Sequence, residues 1–329
     1  MEKILSIVVA AYQAADFLIK GIPTFMDERV MSDIEVMIVD DGSTDDTAEA
    51  ADRLGRQYPD TVVVIHKENG GHGSVINTGI KKAKGKYFCI VDADDWVDTE
   101  GLVELVNQLK TMNSDLVLTR AQLRHDDGEL VETWIVAEFP VGREVPVDNH
   151  IAKLRKIEMH NCCMRTEMLR EHEVRCHEHH FYTDLEWVMY SLMYVKTVTS
   201  LDILFYQYLV GRDGQSVSIT GRQKHKQDYL DIGRWLSEFY EENRSKMSEA
   251  MKTHYERRIA EFLTGVYSLQ MSYRSSQNRR ELKEYDKELK KQFPAVYRAN
   301  ENLCVNLLRW SGFSIYSVAA MIYCKVNRI

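Results

Sequence analysis

Four short apolar runs rich in Val and Ile punctuate the first hundred residues: ILSIVVA (4–10), IEVMIV (34–39), TVVVIH (61–66) and YFCIV (87–91). Each is too short for a helix and is bounded by polar residues, the signature of a strand buried on both faces. Helical spacing fills the gaps. Ser43, with Asp46 three places on, forms a capping-box-like start followed by Ala48, Ala51 and Leu54. Residues 73–84 read as a second helix closed by Gly85, and Leu102, Leu105, Val106 and Leu109 give a third its apolar face. Strand alternating with helix predicts an α/β fold with a Rossmann-like, mostly parallel central sheet.

The residues just after each strand matter more than the strands themselves. The first strand leads into Ala11-Tyr12-Gln13, the second into Asp40-Asp41-Gly42-Ser43, the third into KENGGHG (67–73), and the fourth into Asp92-Ala93-Asp94-Asp95. Parallel strands end on one edge of their sheet, and ligands bind outside that edge. Polar residues scattered over ninety positions are therefore expected on one rim.

Beyond residue 115 the alternation loosens, with strand-like stretches at DLVLTR (115–120) and LDILFYQYLV (201–210). From about residue 222 the pattern becomes charged and helical. The expected division is a catalytic α/β domain at 1–220 and a helical C-terminal region at 221–329. MEKILSIVVAAY is read as the first strand, not a signal peptide, because its start has no net positive charge and strand pattern continues behind it. The segment GFSIYSVAAMIYCKVNRI allows two readings: a helix packed on the protein, or an interfacial helix on an anionic membrane. No run reaches the ~18 apolar residues that span a bilayer.

Composition adds limits. The chain has 329 residues, is 44% hydrophobic and 28% charged, and carries a formal charge of −8. This fits an ordinary globular protein and excludes a general nucleic-acid binder, so an anionic partner must meet local positive groups or a metal. Six cysteines without paired spacing indicate reduced thiols and a cytoplasmic setting, with Cys162-Cys163 as packing residues.

Asp92 and Asp94 flank the small Ala93, so the backbone can turn beneath two carboxylates that can hold a divalent cation. A calcium-binding EF-hand loop would need Gly and Glu where Val97 and Val103 stand. Asp95 and Asp98 read as the supporting turn and helix cap. Asp40 and Asp41 are either a capping turn or acceptors for a ribose or base, and NGGHGS offers glycines that let backbone amides approach phosphate. CHEHH (176–180) lacks zinc spacing, while leaving His180 beside the next motif.

In that order, SIVVAAYQA, IVDDGSTDDT, NGGHGSVINTGI and GKYFCIVDADDW resemble the N-terminal half of family 2 glycosyltransferases of the GT-A fold, over roughly residues 4–110. The resemblance implies nucleotide contacts from Ala11, Tyr12, Asp40, Asp41, Gly71, His72, Asn77, Asp92 and Ala93. It implies Mn2+ or Mg2+ on Asp92 and Asp94. FYTDLEWVMY is similar to the family's catalytic-carboxylate segment, which makes Asp184 the base, with Thr183 where Glu is frequent. FYQYLVGRDGQSVS implies Arg212, Gln215 and Ser216 at the diphosphate, and MHNCCMRTEML places His160 on the acceptor side. Ala10 stands where Pro is usual, Gln13 where Asn is, Ile76 where Arg often precedes the Asn, and His72 where a basic residue is common.

The implied activity is a metal-dependent, inverting transfer of sugar from a UDP-sugar to a saccharide, lipid-linked or other hydroxyl acceptor, in cell-envelope, capsule or exopolysaccharide synthesis. The expected location is cytoplasmic or peripheral at the inner face of the plasma membrane, with a homo-oligomer compatible. A catalytically silent sugar-nucleotide-binding scaffold would lack the base or the D-x-D, and both are present. A nucleotidyltransferase would carry a glycine-rich basic loop after the first strand, and AAYQAAD does not.

Overall fold

A computed structural model describes residues 3–154, 156–211, 215 and 218–327. The chain divides into two compact units, Met1–Arg212 and Asp213–Ile329.

The first unit runs β1 (Lys3–Ala11), α1 (Ala15–Gly21), β2 (Ile34–Asp40), α2 (Thr47–Gln57), β3 (Val62–His66), α3 (Gly71–Lys82), β4 (Gly85–Asp92), β5 (Trp96–Val97), α4 (Thr99–Leu109), β6 (Leu116–Arg124), β7 (Leu130–Trp134), β8 (Glu144–Pro146), β9 (Cys162–Arg165), α5 (Thr166–Glu171), α6 (Thr183–Leu192) and β10 (Thr197–Leu209). The sheet order is β3-β2-β1-β4-β9-β6-β10-β5, with β7 added to β6 and β8 to β10. β1, β2, β3 and β4 are mutually parallel where they pair, and so are β6 and β10. β9 lies antiparallel between β4 and β6. The four apolar runs thus form β1 to β4, and the order reverses at β1, where β2 lies on one side and β4 on the other. That reversal opens a crevice at the strand ends.

The strands are apolar because both faces are covered. Ile7, Val9, Val36, Ile38, Cys89 and Val91 share a core with Leu102, Leu105, Val106 and Leu109 of α4. On the opposite face Phe88 meets Trp187 of α6 at 6.0 Å between ring centroids. Two expected helix ends shift. Ser43 does not cap, because its amide donates to the Asp40 carboxylate (3.0 Å) and its hydroxyl receives the Gln13 amide (3.1 Å), and α2 starts only at Thr47. Gly85 does not close α3, which ends at Lys82, but opens β4 beside Ser6. Asp98 does cap α4, accepting from the Gly101 amide at 2.8 Å.

The second unit is helical: α7 (Ile219–Lys224), α8 (Lys226–Asn243), α9 (Glu249–Ser272), α10 (Ser276–Gln292), α11 (Pro294–Arg298), α12 (Leu303–Trp310) and α13 (Tyr316–Val326). Ser218, Ser248, Ser275 and Asn302 cap α7, α9, α10 and α12 through side-chain oxygens, as the preference for short polar residues at helix starts requires. Its core gathers Tyr267, Met271, Leu282, Val305, Leu308, Phe313, Tyr316 and Ala320. Among the described residues, no helix is long and apolar enough to cross a membrane.

α4 approaches β10 so closely that a Cβ on Gly101 would stand 1.6 Å from the Leu204 carbonyl oxygen. Gly101→Ala must therefore push helix from sheet and is expected to destabilise the protein by on the order of 3 kcal/mol. A urea titration followed by circular dichroism checks this, and an unchanged midpoint would contradict the packing described.

Candidate active site

The rim is built from the residues that come directly after β1 to β4. Asp40 ends β2, and its buried carboxylate accepts from the Ser43 amide and from His66 Nδ1 at 2.9 Å. Burial works against its charge, yet the Ser43 and His66 donors prevail and hold it below the usual carboxylate range. Asp41 is bound more tightly still. Its Oδ1 accepts from Lys67 Nζ (2.6 Å) and the Gly70 amide (3.0 Å), and its Oδ2 accepts from the Gly71 amide (2.7 Å). Both acids stand on the rim, with their oxygens bonded to protein donors. The glycine-loop amides that could have faced a phosphate are turned onto Asp41 instead.

The glycines of NGGHGS serve packing. A Cβ on Gly73 would lie 2.0 Å from the His177 carbonyl oxygen, so the start of α3 docks directly on the segment 176–180. Asn77 clamps that segment, donating to the Cys176 carbonyl (2.9 Å) and Glu178 (3.0 Å) and accepting the Cys176 amide (2.9 Å). The His177 amide and Nδ1 both bond the fully buried Glu186, at 3.0 and 2.7 Å. This polar scaffold holds the entrance to α6, where Tyr182 takes a left-handed φ of 66° just before Thr183 and Asp184. His180 Nδ1 faces the Glu178 carbonyl at 2.8 Å.

His72 joins the two sides of the crevice. Its Nδ1 is 3.2 Å from Thr183 Oγ1, and its Nε2 is 3.3 Å from Asp92 Oδ1. Burial opposes a charge on this imidazole, but Asp92, and less directly Asp184 and Asp41, raise its pKa. The same pairing lowers that of Asp92 against the effect of burial. Asp184 moves the other way: burial pushes its carboxyl up, with His72 pulling it down and Asp92 adding to the rise. Two acids of one rim are thus driven apart in proton affinity, the arrangement by which a site separates an ionic ligand from a base.

Ala11 is buried and its carbonyl accepts the Asp41 amide at 2.9 Å, while Tyr12 is exposed. The Ala93 amide donates to the Ala10 carbonyl at 3.2 Å, fixing the turn after β4 against β1. Asp94 sits in that turn, partly exposed. Asp95 is buried and receives Tyr206 Oη (2.6 Å) and the Leu209 amide (2.8 Å); burial and the negative charges of Asp94 and Asp92 drive its pKa well up. Tyr206 and Tyr208 alternate along β10 and so share a face. Together with Trp134 they surround His160, at ring-centroid distances of 4.7, 4.5 and 5.5 Å.

His160 is buried, and among the described residues neither ring nitrogen has a hydrogen-bond partner. One atom each of Asp92, Asp95 and His160 lie within 4.8 Å of one another. An orphaned imidazole facing two carboxylates is a donor set that suits a divalent cation. The resemblance implies an acceptor-side place for His160, and in the structure the ring also stands close to Asp92 and Asp95. Gln215 lies in the second unit, where its carbonyl accepts the Ser218 amide at 3.1 Å. Arg212 and Ser216 lie outside the described residues. Sequence reasoning did not single out Tyr206 or Lys67, although the alternating tyrosines of FYQYLV were a readable signal.

Residues 6–171, half of the chain, match the family described as Glycosyl transferase family 2. The chain belongs to that family. Over 119 residues it is 35% identical to the glycosyltransferase GlyG of Streptococcus pneumoniae, covering 36% of this chain and 39% of GlyG. Over 218 residues it is 26% identical to a poly(ribitol-phosphate) beta-glucosyltransferase of Bacillus spizizenii, covering 65% of this chain and 33% of that protein. The matched parts thus span well under two thirds of these relatives. The fold is similar to S. aureus TarS 1–349, with a TM-score of 0.67 at 19% identity over 98% of this chain and 91% of that one. TarS has also been solved with UDP-GlcNAc. A mannosyltransferase from Pyrobaculum calidifontis, in complex with GDP-Man and Mn2+, aligns with a TM-score of 0.53 at 15% identity, over 98% of this chain and 87% of that one. The fold of this family member is GT-A, with a helical C-terminal region.

The Asp40–His66 pair makes stability depend on pH. The pKa of His66 is raised by its bonds to Asp40 and Asp52, so its contribution is complete below the unfolded value, ~6.5, and is lost as pH rises through the folded one. That of Asp40 is lowered, so its contribution is present above ~4 and is lost on acidification. In urea titrations the wild type should therefore lose stability between mildly acidic and mildly alkaline pH. His66→Gln should show a flatter profile there; parallel profiles would contradict the assignment.

Proposed function

We propose that the first unit moves a sugar from a UDP-sugar to an acceptor hydroxyl with inversion, aided by Mn2+ or Mg2+. The observation that carries this reading is the opposed pair across His72: Asp92 held ionised, Asp184 pushed toward higher proton affinity. The UDP-GlcNAc complex of TarS supports a uridine diphosphate donor, and the Mn2+ complex of the mannosyltransferase supports the ion. The name of the B. spizizenii relative supports a cell-envelope polymer as acceptor or product.

In this reading Asp184 accepts the proton of the acceptor hydroxyl as that oxygen bonds to the anomeric carbon. The anomeric C–O bond to the diphosphate breaks on the opposite face, and UDP departs with the extra negative charge. Asp92 and Asp94, with Asp95 and His160 behind them, would hold the divalent ion, which when bound supplies positive charge at the departing diphosphate. Arg212 is proposed to add a donor there. Asp40, Asp41 and Asn77 act by holding the rim in shape, and His72 keeps Asp92 charged while it orients Thr183 beside the base.

Screening UDP-sugars with Mn2+ for UDP release and sugar transfer tests this. Asp184→Asn is expected to lower kcat by at least about 100-fold while UDP binding persists. A variant as fast as wild type would remove Asp184 from the role of base.

A further inference from the structure

The C-terminal segment packs on the helical unit through one face of each of its helices. On α12, Val305 and Leu308 turn inward, and on α13, Tyr316, Ala320 and Cys324 do so. Arg309 locks this packing: its Nε bonds Asp286 at 2.8 Å, its Nη1 donates to the Tyr297 carbonyl at 2.9 Å, and its guanidinium lies 3.6 Å above the Tyr297 ring. Tyr316 Oη adds a bond to the Gln270 carbonyl at 2.6 Å.

The outer faces are apolar as well. Leu303, Leu307 and Trp310 recur at i, i+4 and i+7 along α12, with Trp310 78% exposed. Val318, Met321, Ile322 and Val326 form a like stripe along α13, all more than half exposed. Half of the large apolar side chains exposed among the described residues fall between Leu303 and Val326, eight of sixteen. A surface helix ordinarily presents polar residues outward, so an apolar stripe on both faces marks a surface that another body covers.

Charge selects the body. The chain as a whole is acidic, at −8, yet no Asp or Glu occurs after Glu301, while Lys325 is exposed on α13 and Arg328 comes after it in the sequence. An outer face with large apolar residues, an outward Trp and the exposed Lys325, built from a stretch that carries no Asp or Glu after Glu301, complements an anionic bilayer surface.

We propose that α12 and α13 lie on an anionic membrane, with Trp310, Met321 and Ile322 entering the headgroup boundary and Lys325 meeting lipid phosphate. This goes beyond the transfer reaction and does not depend on it. The helices are too short to span the bilayer, so attachment would be peripheral. A membrane-held enzyme would meet lipid-linked or membrane-proximal acceptors.

The test is co-sedimentation of the full chain with phosphatidylcholine vesicles, with or without about 30% phosphatidylglycerol, read beside its oligomeric state by light scattering. Binding at least about tenfold stronger to the anionic vesicles, weakened by salt, is the expected result. The exposed triple substitution Trp310→Glu, Met321→Glu, Ile322→Glu should abolish it while circular dichroism stays that of wild type. Lys325→Glu, which leaves the apolar face intact, should reduce the preference for anionic over neutral vesicles. No sedimentation of the wild type, or unaltered sedimentation of a folded triple variant, would overturn the proposal. So would a dimer that the triple variant converts to monomer without any vesicle binding, since the face would then belong to a second copy.

Discussion

A buried carboxylate that receives a phenol and a backbone amide from another strand fixes the geometry of this site. Asp95 takes its bonds from Tyr206 Oη and the Leu209 amide, both belonging to β10, while Asp95 itself comes just after β4. In sheet order β9 and β6 separate those strands, so the acid-rich turn after β4 is tied across the sheet to β10. The Tyr206 oxygen also receives the Asp92 amide at 3.1 Å, so one phenol holds both ends of the turn. Asp92 is then free to face His72 and the crevice. Burying an acid in this way is costly unless donors satisfy it, and those donors keep the neighbouring carboxylates in place before any ligand arrives.

The second constraint lies across the crevice. Asp184 is delivered by a segment that has little regular structure of its own, residues 175–182. Asn77, Glu186 and the close approach at Gly73 hold that segment, and all three are polar or backbone contacts. The segment before Asp184, the proposed base, is therefore held by hydrogen bonds to α3, and His72 on that same helix touches both Thr183 and Asp92. One helix start sets the distance between the predicted base and the predicted ion site, which explains why several residues near a ligand-binding rim are bonded to protein.

The first four strands and the helix bearing Leu102 to Leu109 were legible because a buried parallel strand and a one-sided helix each leave a local periodic pattern. The rim was legible too, since parallel strands must end together. β9 was not: four residues inserted antiparallel between β4 and β6 have no period to read, and only tertiary pairing makes them a strand. Ser43 and Gly85 misled for a related reason. Both carry strong local preferences, but Asp40 and Gln13 captured Ser43, and sheet pairing captured Gly85. Among site residues the sequence placed Asp92 and Asp184 on separate motifs, with no pattern to show that His72 would touch Asp92 and Thr183. It likewise could not show that the glycine loop's amides would turn onto Asp41. The place of His160 beside Asp95 depends on a short turn before β9 meeting the turn after β4 and the aromatic side chains of β7 and β10, which no single window contains.

At the centre stands the claim that the turn after β4 waits for a cation and the nucleotide diphosphate it carries. Calorimetric titration of UDP into the wild-type protein, with Mn2+ and then with EDTA, measures this directly, with Asp94→Ala in parallel. The predicted result is strong binding only with the ion, and loss of that dependence in the variant. UDP binding indifferent both to EDTA and to Asp94→Ala would contradict it.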